Sequence, residues 1–232
     1  MTRFFFKNIS LIIPTLNSSL NIRTILNNLK GIFFEIIVID GHSSDDSCKI
    51  AKRYTQQVYT TEPGRGYQLS MGALKSKGEW LFFLHSDSLL DEECLLRINK
   101  FISSPKNKYK AAVFKLKINN SNVFARIIEN LANIRTKIFS LPYGDQGLLI
   151  SKQYYQKIGG YKKIKIMEDL DIIKKIGSKN LIILDAYIKT SSENYVRDGW
   201  IYRPFKNIIC LTLFLFKIDT NTIYKFYYRS KN

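Results

Sequence analysis

Short apolar runs alternate with segments of helical periodicity over the first part of the chain, and this alternation restricts the possible fold more than any other feature. Four apolar runs are predicted as buried strands, at residues 9–13, 35–40, 58–60 and 80–84. The segment after the first run places apolar side chains at helical spacing, at Ile22, Ile25, Leu26 and Leu29. Strands that alternate with helices indicate a parallel sheet with helices on both faces.

The second part of the chain shows a different pattern. Residues 111–118 alternate in polarity, as a half-exposed antiparallel strand would. Further helices are predicted at residues 123–139 and 169–176, and further strands at 148–151 and 181–184. Because no linker interrupts the pattern, we predict one α/β domain. Its parts are a first half (residues 1–116), a second half (117–194) and an aromatic, basic helical tail (195–232).

The composition is strongly basic. Lys and Arg number 36 against 19 Asp and Glu, which gives a formal charge of +17. Such a charge favours an anionic partner, which can be a nucleic acid, a membrane surface or a phosphorylated small molecule. Hydrophobic residues make up 45% of the chain, enough for a sizeable core, so wholesale disorder is excluded.

The cysteines and the apolar runs bear on the compartment. The three cysteines are widely spaced and odd in number, which favours a reducing compartment such as the cytoplasm. The first 14 residues lack the unbroken apolar stretch of a signal peptide. The longest apolar run, residues 208–216, is shorter than the roughly 20 residues that a membrane span needs. We therefore expect a cytoplasmic protein that does not cross a bilayer.

Polar clusters lie at the ends of predicted strands, at residues 14–17, 40–45, 85–87 and 144–147. In open α/β sheets, ligands bind at the carboxyl ends of the strands. Each cluster also has a purely structural interpretation. Asn17 or Ser18 can cap the first helix, and Ser44 or Asp45 can cap the second. The coincidence of four clusters at strand ends favours a binding site.

Motifs that share these strand ends occur in a fixed order. They are SLIIPTLN at 10–17, EIIVIDGHSSD at 35–45, GRGYQ at 64–68, WLFFLHSD at 80–87, YGDQG at 143–147, IGGY at 158–161 and MEDLD at 167–171. Together they resemble family 2 glycosyltransferases, in particular a bacterial subfamily associated with radical-SAM and selenium gene neighbourhoods. The resemblance implies the GT-A fold, a Rossmann-like, mainly parallel sheet flanked by helices, with an antiparallel acceptor-side portion and a helical C-terminal tail. It also implies inverting transfer of one sugar from a UDP or GDP sugar to a hydroxyl or lipid-phosphate acceptor.

The resemblance assigns a donor site. The residues it places at the nucleotide are Pro14, Thr15, Asn17, Asp40, Arg65 and Gln68. Asp40 would accept a hydrogen bond from the base edge, and Arg65 suits phosphate oxygens because its guanidinium donates two bonds at once. Alternatively, Arg65 is a solvated loop charge.

The resemblance also assigns a cation and a base. Asp87 would coordinate a divalent cation, Mn²⁺ or Mg²⁺, that bridges the two phosphates. His85 is a second ligand, a phosphate contact or a structural residue under the sheet. Asp169 would be the general base and Glu168 would orient the acceptor. The alternative is that the helix dipole favours both acids at a helix start.

Two further residues are assigned to the acceptor. Asp145 touches acceptor or sugar hydroxyls, or is a turn aspartate. Trp200 ends the segment RDGW, which is similar to a motif of processive relatives without matching it, so single-sugar transfer is expected.

The tail allows two interpretations. Its aromatic residues, interspersed with Lys and Arg, either form an amphipathic surface on an anionic membrane or pack residues 208–216 as a core helix against the sheet. Residues 1–116 carry 16 basic and 10 acidic residues (+6), and residues 117–232 carry 20 and 9 (+11). The excess charge therefore lies on the acceptor and tail side, which favours peripheral binding to the inner face of a membrane.

Two other functional classes stay open. The charge alone permits a basic nucleic-acid-binding protein, although the basic residues form no recognition motif. A sugar-phosphate nucleotidyltransferase has a related architecture, but residues 14–17 do not supply its Gly-rich loop. The expected partners are therefore a nucleotide-sugar donor and an acceptor, without nucleic acid.

Overall fold

Eight strands and ten helices make up the part of the chain that this computed structural model describes, residues 4–229. The strands are β1 (Phe6–Thr15), β2 (Phe33–Asp40), β3 (Val58–Thr60), β4 (Trp80–Phe83), β5 (Ser88–Leu89), β6 (Ala111–Asn119), β7 (Leu148–Ser151) and β8 (Leu181–Ser191). The helices are α1 (Ser19–Leu29), α2 (Ser47–Ala51), α3 (Arg65–Lys75), α4 (Glu92–Ile102), α5 (Val123–Phe139), α6 (Lys152–Lys157), α7 (Glu168–Ile176), α8 (Glu193–Asp198), α9 (Tyr202–Leu215) and α10 (Thr220–Arg229).

All eight strands belong to one sheet, in the order β3-β2-β1-β4-β7-β6-β8-β5. The first four strands of this order pair in parallel, as the alternation of strands and helices predicts. Strand β7 pairs antiparallel with both β4 and β6, and β5 pairs antiparallel with β8. The predicted architecture, a mainly parallel sheet with an antiparallel portion, is confirmed.

Helices cover both faces of the sheet. On one face, α1 buries the four apolar residues that its periodicity predicts, in a core shared with α2 and α4. On the other face, α3, α6 and α7 close a second core. Burial of one such Leu or Ile side chain contributes roughly 1.5–3 kcal/mol. The two cores therefore fix the carboxyl ends of β1, β2 and β4 relative to one another.

Two strands differ from their predicted form. Strand β6 pairs in parallel with β8 along its length, and only Ala111 and Ala112 also pair antiparallel, with β7. Its first half is buried on both faces, so the alternation that suggests a half-exposed strand holds only after Phe114. Strand β8 continues past the predicted end to Ser191, because its polar side chains point away from the core at alternate positions. The boundary between the predicted halves at residue 116 falls inside β6, so the halves share one sheet.

The tail is helical, as predicted, but α9 does not pack against the sheet. Cys210 of α9 and Ile223 of α10 form a cluster with Ile166, Met167 and Leu170 around the start of α7. Residues 208–216 therefore do pack as a helix, but their partners are α10 and the start of α7, and the predicted packing against the sheet is wrong. Among residues 4–229, no helix combines the length and apolarity needed to cross a membrane.

Candidate active site

A cavity of about 150 Å³ lies at the carboxyl end of β4. His85 and Asp87, which follow β4, line it together with Asp145 and Asp169. Arg65, the first residue of α3, also lines it. The structure thus brings together five predicted site residues from four separate motifs.

The turn between α5 and β7 forms part of the cavity wall, through Gly144 and Asp145. Gln146 is fully buried, donates to the backbone oxygen of Phe114 at 2.8 Å and accepts from the hydroxyl of Thr136 at 2.8 Å. The backbone N–H of Gly144 donates to Oδ2 of Asp169 at 3.0 Å. A Cβ atom on Gly144 would lie 2.7 Å from Nε2 of His85, so only glycine fits there.

The start of α7 is shaped by a residue in an unusual conformation. Met167 precedes the helix with φ at 66°, in the left-handed region that non-glycine residues seldom adopt. Its burial in the cluster with Cys210 and Ile223 stabilises this turn. The turn directs the fully buried Glu168 to Arg65, whose Nε lies 2.9 Å from Oε1 of Glu168, and leaves Asp169 facing the cavity.

The buried carboxylate of Glu168 pairs with the partly exposed guanidinium of Arg65. Burial raises the pKa of Glu168, and the guanidinium of Arg65 opposes that rise. Arg65 is held at the cavity wall by this pairing and is not a free loop charge. Glu168 itself does not line the cavity, so its contact with Arg65 favours a positioning role for it.

Three side chains that line the cavity, His85, Asp145 and Asp87, have shifted pKa values. Burial, with the charge of Arg65, lowers the pKa of His85 to about 3, so its imidazole is neutral at physiological pH. Burial raises the pKa of Asp145 to about 6, against the opposing charge of Arg135. Burial also raises the pKa of Asp87. Buried carboxylates of this kind destabilise a fold and are concentrated at functional sites.

Asp87 and Asp145 also have unused hydrogen-bonding capacity. Oδ1 of each is buried and has no hydrogen-bond partner among residues 4–229. Within the same residues, no group of three or more His, Cys, Asp or Glu side chains could hold a metal ion alone. Mg²⁺ is commonly held by one or two carboxylates together with substrate phosphates, so a lone unpartnered carboxylate fits a cation that arrives with a diphosphate.

The predicted nucleoside residues lie in a second cluster, at the ends of β1 and β2. Asn17 and His42 both adopt left-handed backbone conformations, with φ at 48° and 62°. Oδ1 of Asn17 accepts from the backbone N–H of Ser44 at 2.9 Å, which joins the two loops. Asp40 accepts from the N–H of Ser43 through Oδ2, and its buried Oδ1 has no partner among the described residues. This free acceptor is where a donor from a base edge would fit.

Pro14 and Thr15 are buried at the end of β1, beside Asp40 in the sheet. Oγ1 of Thr15 is a second buried oxygen without a hydrogen-bond partner within residues 4–229. None of the four nucleoside residues lines the 150 Å³ cavity. The candidate site therefore has two parts, a cluster at the ends of β1 and β2 and the cavity beyond β4.

Two predicted site residues lie outside both parts. Gln68 is almost fully buried, and its Nε2 donates to the backbone oxygens of Thr15 and Ile39 at 2.8 Å each. Its amide joins β1 to β2 beneath the loops, which corrects the prediction that it meets the phosphate or the base. Trp200 stacks on Tyr195 with ring centroids 5.4 Å apart and does not line the cavity. Trp200 thus contacts the cavity through Tyr195, and its assignment to the acceptor stays a prediction.

Five residues near the C-terminal end of the described chain line the cavity although no sequence motif indicates them. They are Asn194, the last residue of the second half, and Tyr195, Arg203, Asn207 and Tyr227 of the tail. Arg203 lies near enough to oppose the burial-driven rise in the pKa of Asp87. These residues form no sequence motif, because they come from three helices and are brought together only by packing. Only the presence of polar side chains within an otherwise aromatic segment could have indicated them.

Asp45 has a structural role at the edge of the nucleoside cluster. Its Oδ2 accepts from the N–H of Ser19 at the start of α1, and its Oδ1 accepts from the N–H of Ser47 at the start of α2, each at 3.0 Å. Burial alone would raise the pKa of Asp45, but hydrogen bonds from Ser47 and Ser19 lower it to about 2. Asp45 thus supplies the cap that the side chain of Ser18 does not make.

Asp45→Ala is therefore expected to reduce the free energy of unfolding by about 1 kcal/mol at neutral pH, the usual effect of losing a helix cap. Because folding lowers the pKa of this carboxyl, its contribution is complete above about pH 4 and disappears as the pH falls toward 2. Urea denaturation at neutral and acidic pH measures the difference. The neighbouring Asp46→Ala is the control, since Asp46 makes no side-chain cap bond. An equal effect of Asp45→Ala at both pH values would contradict this account.

The sequence of this chain matches a known protein family. The model of Glycosyl transferase family 2 matches residues 10–165, more than half of the chain. The chain belongs to glycosyl transferase family 2. The matched region contains both parts of the candidate site up to Asp145, and Glu168 and Asp169 follow just beyond it. Membership removes the basis for the nucleotidyltransferase alternative.

Several related sequences belong to bacteria. An uncharacterized glycosyltransferase of Rickettsia bellii is 29% identical over 210 residues, which cover 87% of this chain and 67% of the relative. Another from Rickettsia prowazekii is 35% identical over 115 residues, covering 48% of this chain and 39% of the relative. The poly(ribitol-phosphate) β-N-acetylglucosaminyltransferase TarP of Staphylococcus aureus is 33% identical over 101 residues, 38% of this chain and 31% of TarP. The chain thus matches less than half of the length of two of these three family 2 relatives.

Solved structures share the fold. S. aureus TarS in complex with UDP-GlcNAc has a TM-score of 0.59 and 20% identity, covering 79% of this chain and 58% of that one. Glucosyl-3-phosphoglycerate synthase of Mycobacterium tuberculosis, with Mn²⁺ and UDP-glucose, has a TM-score of 0.54 and 16% identity, with 78% and 69% covered. A mannosyltransferase of Pyrobaculum calidifontis, with GDP-mannose and Mn²⁺, has a TM-score of 0.62 and 15% identity, with 86% and 59% covered. At these identities the likeness shows the GT-A fold alone.

Proposed function

We propose that this family 2 protein is an inverting, metal-dependent glycosyltransferase. It moves one sugar from a nucleotide-diphosphate sugar to a hydroxyl of a lipid-linked or other acceptor. The observation that carries the proposal is the carboxylate of Asp169, which Gly144 holds at a cavity that also exposes Asp87, Asp145 and Arg65. A base, a free carboxylate for a cation and a guanidinium for phosphate are what such a transfer requires.

The donor spans both parts of the site. Its nucleoside lies at the ends of β1 and β2, where Asp40 accepts from the base, and its diphosphate and sugar enter the cavity. Solved structures of the same fold were determined with UDP-GlcNAc, UDP-glucose and GDP-mannose, which supports a nucleotide sugar as donor. A cavity of 150 Å³ is too small for a whole nucleotide sugar, and this supports the division between the two parts.

Charge in the cavity suits a departing nucleoside diphosphate. Arg65 and Arg203 lie at its wall, and guanidinium groups bind phosphate oxygens through two parallel bonds. Asp87 is the residue that would hold Mn²⁺ or Mg²⁺, and the neutral His85 packs its Nε2 against Gly144, which favours a wall role. A divalent cation bound there neutralises charge on the diphosphate as a Lewis acid.

Transfer proceeds by a single displacement. The acceptor oxygen forms its bond to the anomeric carbon on the face opposite the diphosphate, while the bond from that carbon to the diphosphate oxygen breaks. Asp169 takes the proton of the acceptor hydroxyl, and the electron pair of the broken bond leaves with the nucleoside diphosphate. The configuration at the anomeric carbon is therefore inverted. Asp145 holds a hydroxyl of the sugar or the acceptor.

Incubation with a panel of UDP and GDP sugars, with Mn²⁺ or Mg²⁺, tests this proposal. We expect release of nucleoside diphosphate from one nucleotide series, accelerated by a lipid extract whose lipid-linked sugars offer hydroxyl groups as acceptors. The transferred sugar, examined by NMR, should have the anomeric configuration opposite to that in the donor. If no member of the panel is turned over with either cation, or if the configuration is retained, the proposal fails.

A further inference from the structure

Helix α5 has its polarity reversed relative to an ordinary surface helix. The residues that it buries against the protein are small or polar: Ala125, Glu129, Ala132 and Thr136. A surface helix usually buries an apolar stripe and exposes charge. The inner face of α5 is therefore not where its large apolar side chains lie.

Hydrogen bonds satisfy this polar inner face. Glu129 accepts from the backbone N–H of Ile118 through Oε1 and pairs with Arg126. Asn133 accepts from the N–H of Leu116 at 2.8 Å and donates to its carbonyl oxygen at 3.0 Å. These bonds fix the rotation of α5 about its axis, so the outward orientation of its other side is set by the fold.

The outer side of α5 carries a continuous apolar row. Ile127, Leu131, Ile134 and Ile138 recur at intervals of four, three and four residues and are between 47% and 65% exposed. Val123 and Phe139 extend the exposed apolar surface to both ends of the helix. A row of this length runs the whole helix, about 25 Å at 1.5 Å per residue. Contiguous exposed apolar surface on this scale marks an interaction site.

Helix α9 presents a second row next to α5. Ile201, Phe205, Ile208 and Leu215 are between 48% and 71% exposed, at spacings that place them on one side of the helix. Trp200, directly before α9, packs in one cluster with Ala125 and Ile128 of α5. The segment that leads into α9 therefore lies beside the start of α5. We name the two rows together the α5–α9 face.

The α5–α9 face adjoins the active site. Arg203 and Asn207 of α9 line the cavity, while Phe205 and Ile208 of the same helix face outward. One helix thus connects the apolar surface to the wall of the site.

The distribution of charge favours a lipid surface over a second copy of the chain as the partner that covers the α5–α9 face. Helix α9 contains no acidic residue, and the one acid of α5, Glu129, points inward. Lys137 and Lys217 are exposed at the ends of the two helices. Residues 117–232 carry a net charge of +11, from 20 basic and 9 acidic residues. Two copies would repel each other, whereas apolar rows bordered by cations match the surface of an anionic bilayer.

We propose that the α5–α9 face docks this protein onto anionic lipid bilayers, with both helices lying in the plane of the interface. This goes beyond the proposed reaction and does not depend on it. The sequence indicates the basic second half and the aromatic tail for this role but does not single out α5, since the reversal of α5 becomes visible only when its buried side is known. Docking in this orientation places the cavity next to the headgroups, where a lipid-linked acceptor would be found.

Vesicle co-sedimentation tests the proposal without nucleotide or acceptor. The vesicles are phosphatidylcholine alone and phosphatidylcholine mixed with phosphatidylglycerol, at low and high salt. We expect binding to the mixed vesicles only, weakened by salt. The pair Leu131→Gln and Ile138→Gln should reduce binding about tenfold or more, because two apolar anchors are lost. The matched control pair, Leu20→Gln and Leu74→Gln, removes exposed leucines elsewhere and should bind within about twofold of the wild type.

A second variant tests the same face if the first variant fails to fold. Lys137→Glu with Lys217→Glu should also weaken binding to the mixed vesicles, because it reverses charge at the border of the face. The proposal is overturned if the wild type binds neither vesicle, or if both variants bind like the wild type. It is equally overturned if the wild type sediments as a dimer that Leu131→Gln and Ile138→Gln convert to a monomer with unchanged vesicle binding. Donor turnover measured without vesicles tests the proposed reaction separately.

Discussion

Asp169→Asn is expected to lower the turnover number for sugar transfer on the order of 10³-fold, because a positioned general base contributes about 10²–10⁴-fold to such reactions. Asp169 accepts from the N–H of Gly144 through Oδ2 and from the N–H of Leu170 through Oδ1. The amide oxygen of Asn can keep the bond from Gly144, which holds the side chain at the cavity, although the bond from Leu170 is lost. The KM for the donor should therefore stay close to that of the wild type. Steady-state kinetics with a saturating acceptor provide both values.

Asp171→Asn is the matched control for this prediction. Asp171 lies on the same helix, two residues further on, and its carboxylate pairs with Lys175 at 3.0 Å outside the cavity. Its loss should cost little more than an exposed ion pair, below about 1 kcal/mol of stability, and should leave turnover unchanged. If Asp169→Asn keeps wild-type turnover, Asp169 is not the base. Equal losses in both variants would point to damage to α7 as a whole.

Asp87→Asn is expected to reduce kcat/KM for the donor on the order of 10²-fold, because the neutral amide is a poorer cation ligand than a carboxylate. The Mn²⁺ concentration needed for half-maximal activity should rise in parallel. Burial raises the pKa of Asp87, so the charge on this carboxyl costs more in the folded protein than in water. Removing that charge should leave the melting temperature unchanged or raise it. Activity assays across a Mn²⁺ series, with calorimetric melting, measure both effects.

A loss of activity without a loss of stability identifies a functional carboxylate. Asp185→Asn serves as the control, because Asp185 is an exposed residue of β8 that pairs with Lys115. That variant should match the wild type in its Mn²⁺ dependence. An Asp87→Asn protein with normal Mn²⁺ dependence would remove Asp87 from the cation site. A lowered melting temperature together with lost activity would indicate a structural role.

Much of the fold can be predicted from local patterns in the sequence. The spacing of Ile22, Ile25, Leu26 and Leu29 predicts the buried side of α1, because helical periodicity depends on near neighbours alone. Strand ends followed by polar clusters also predict where the site lies, since parallel strands end at one edge of the sheet. His85 and Asp87 reach the cavity for this reason because they follow β4, whereas Asp145 and Asp169 reach it from the turn before β7 and the start of α7.

Other features depend on contacts between distant segments. Gln68 lies in a motif beside Arg65, yet its amide is used between β1 and β2, and only the packed structure shows this. The contribution of Arg203 to the cavity depends on how α9 packs onto α10 and the start of α7. The reversed polarity of α5 is likewise hidden, because a period of 3.6 residues identifies an apolar side without showing whether it faces inward.

The ends of β1 and β2, together with the cavity beyond β4, are proposed to bind a nucleoside diphosphate with a divalent cation. Titration calorimetry of UDP and of GDP into the wild-type protein, with and without Mn²⁺, tests this binding. We expect one of the two nucleotides to bind and Mn²⁺ to tighten its binding about tenfold or more. Absence of a heat signal for both nucleotides, with and without Mn²⁺, together with no change in melting temperature, would contradict it.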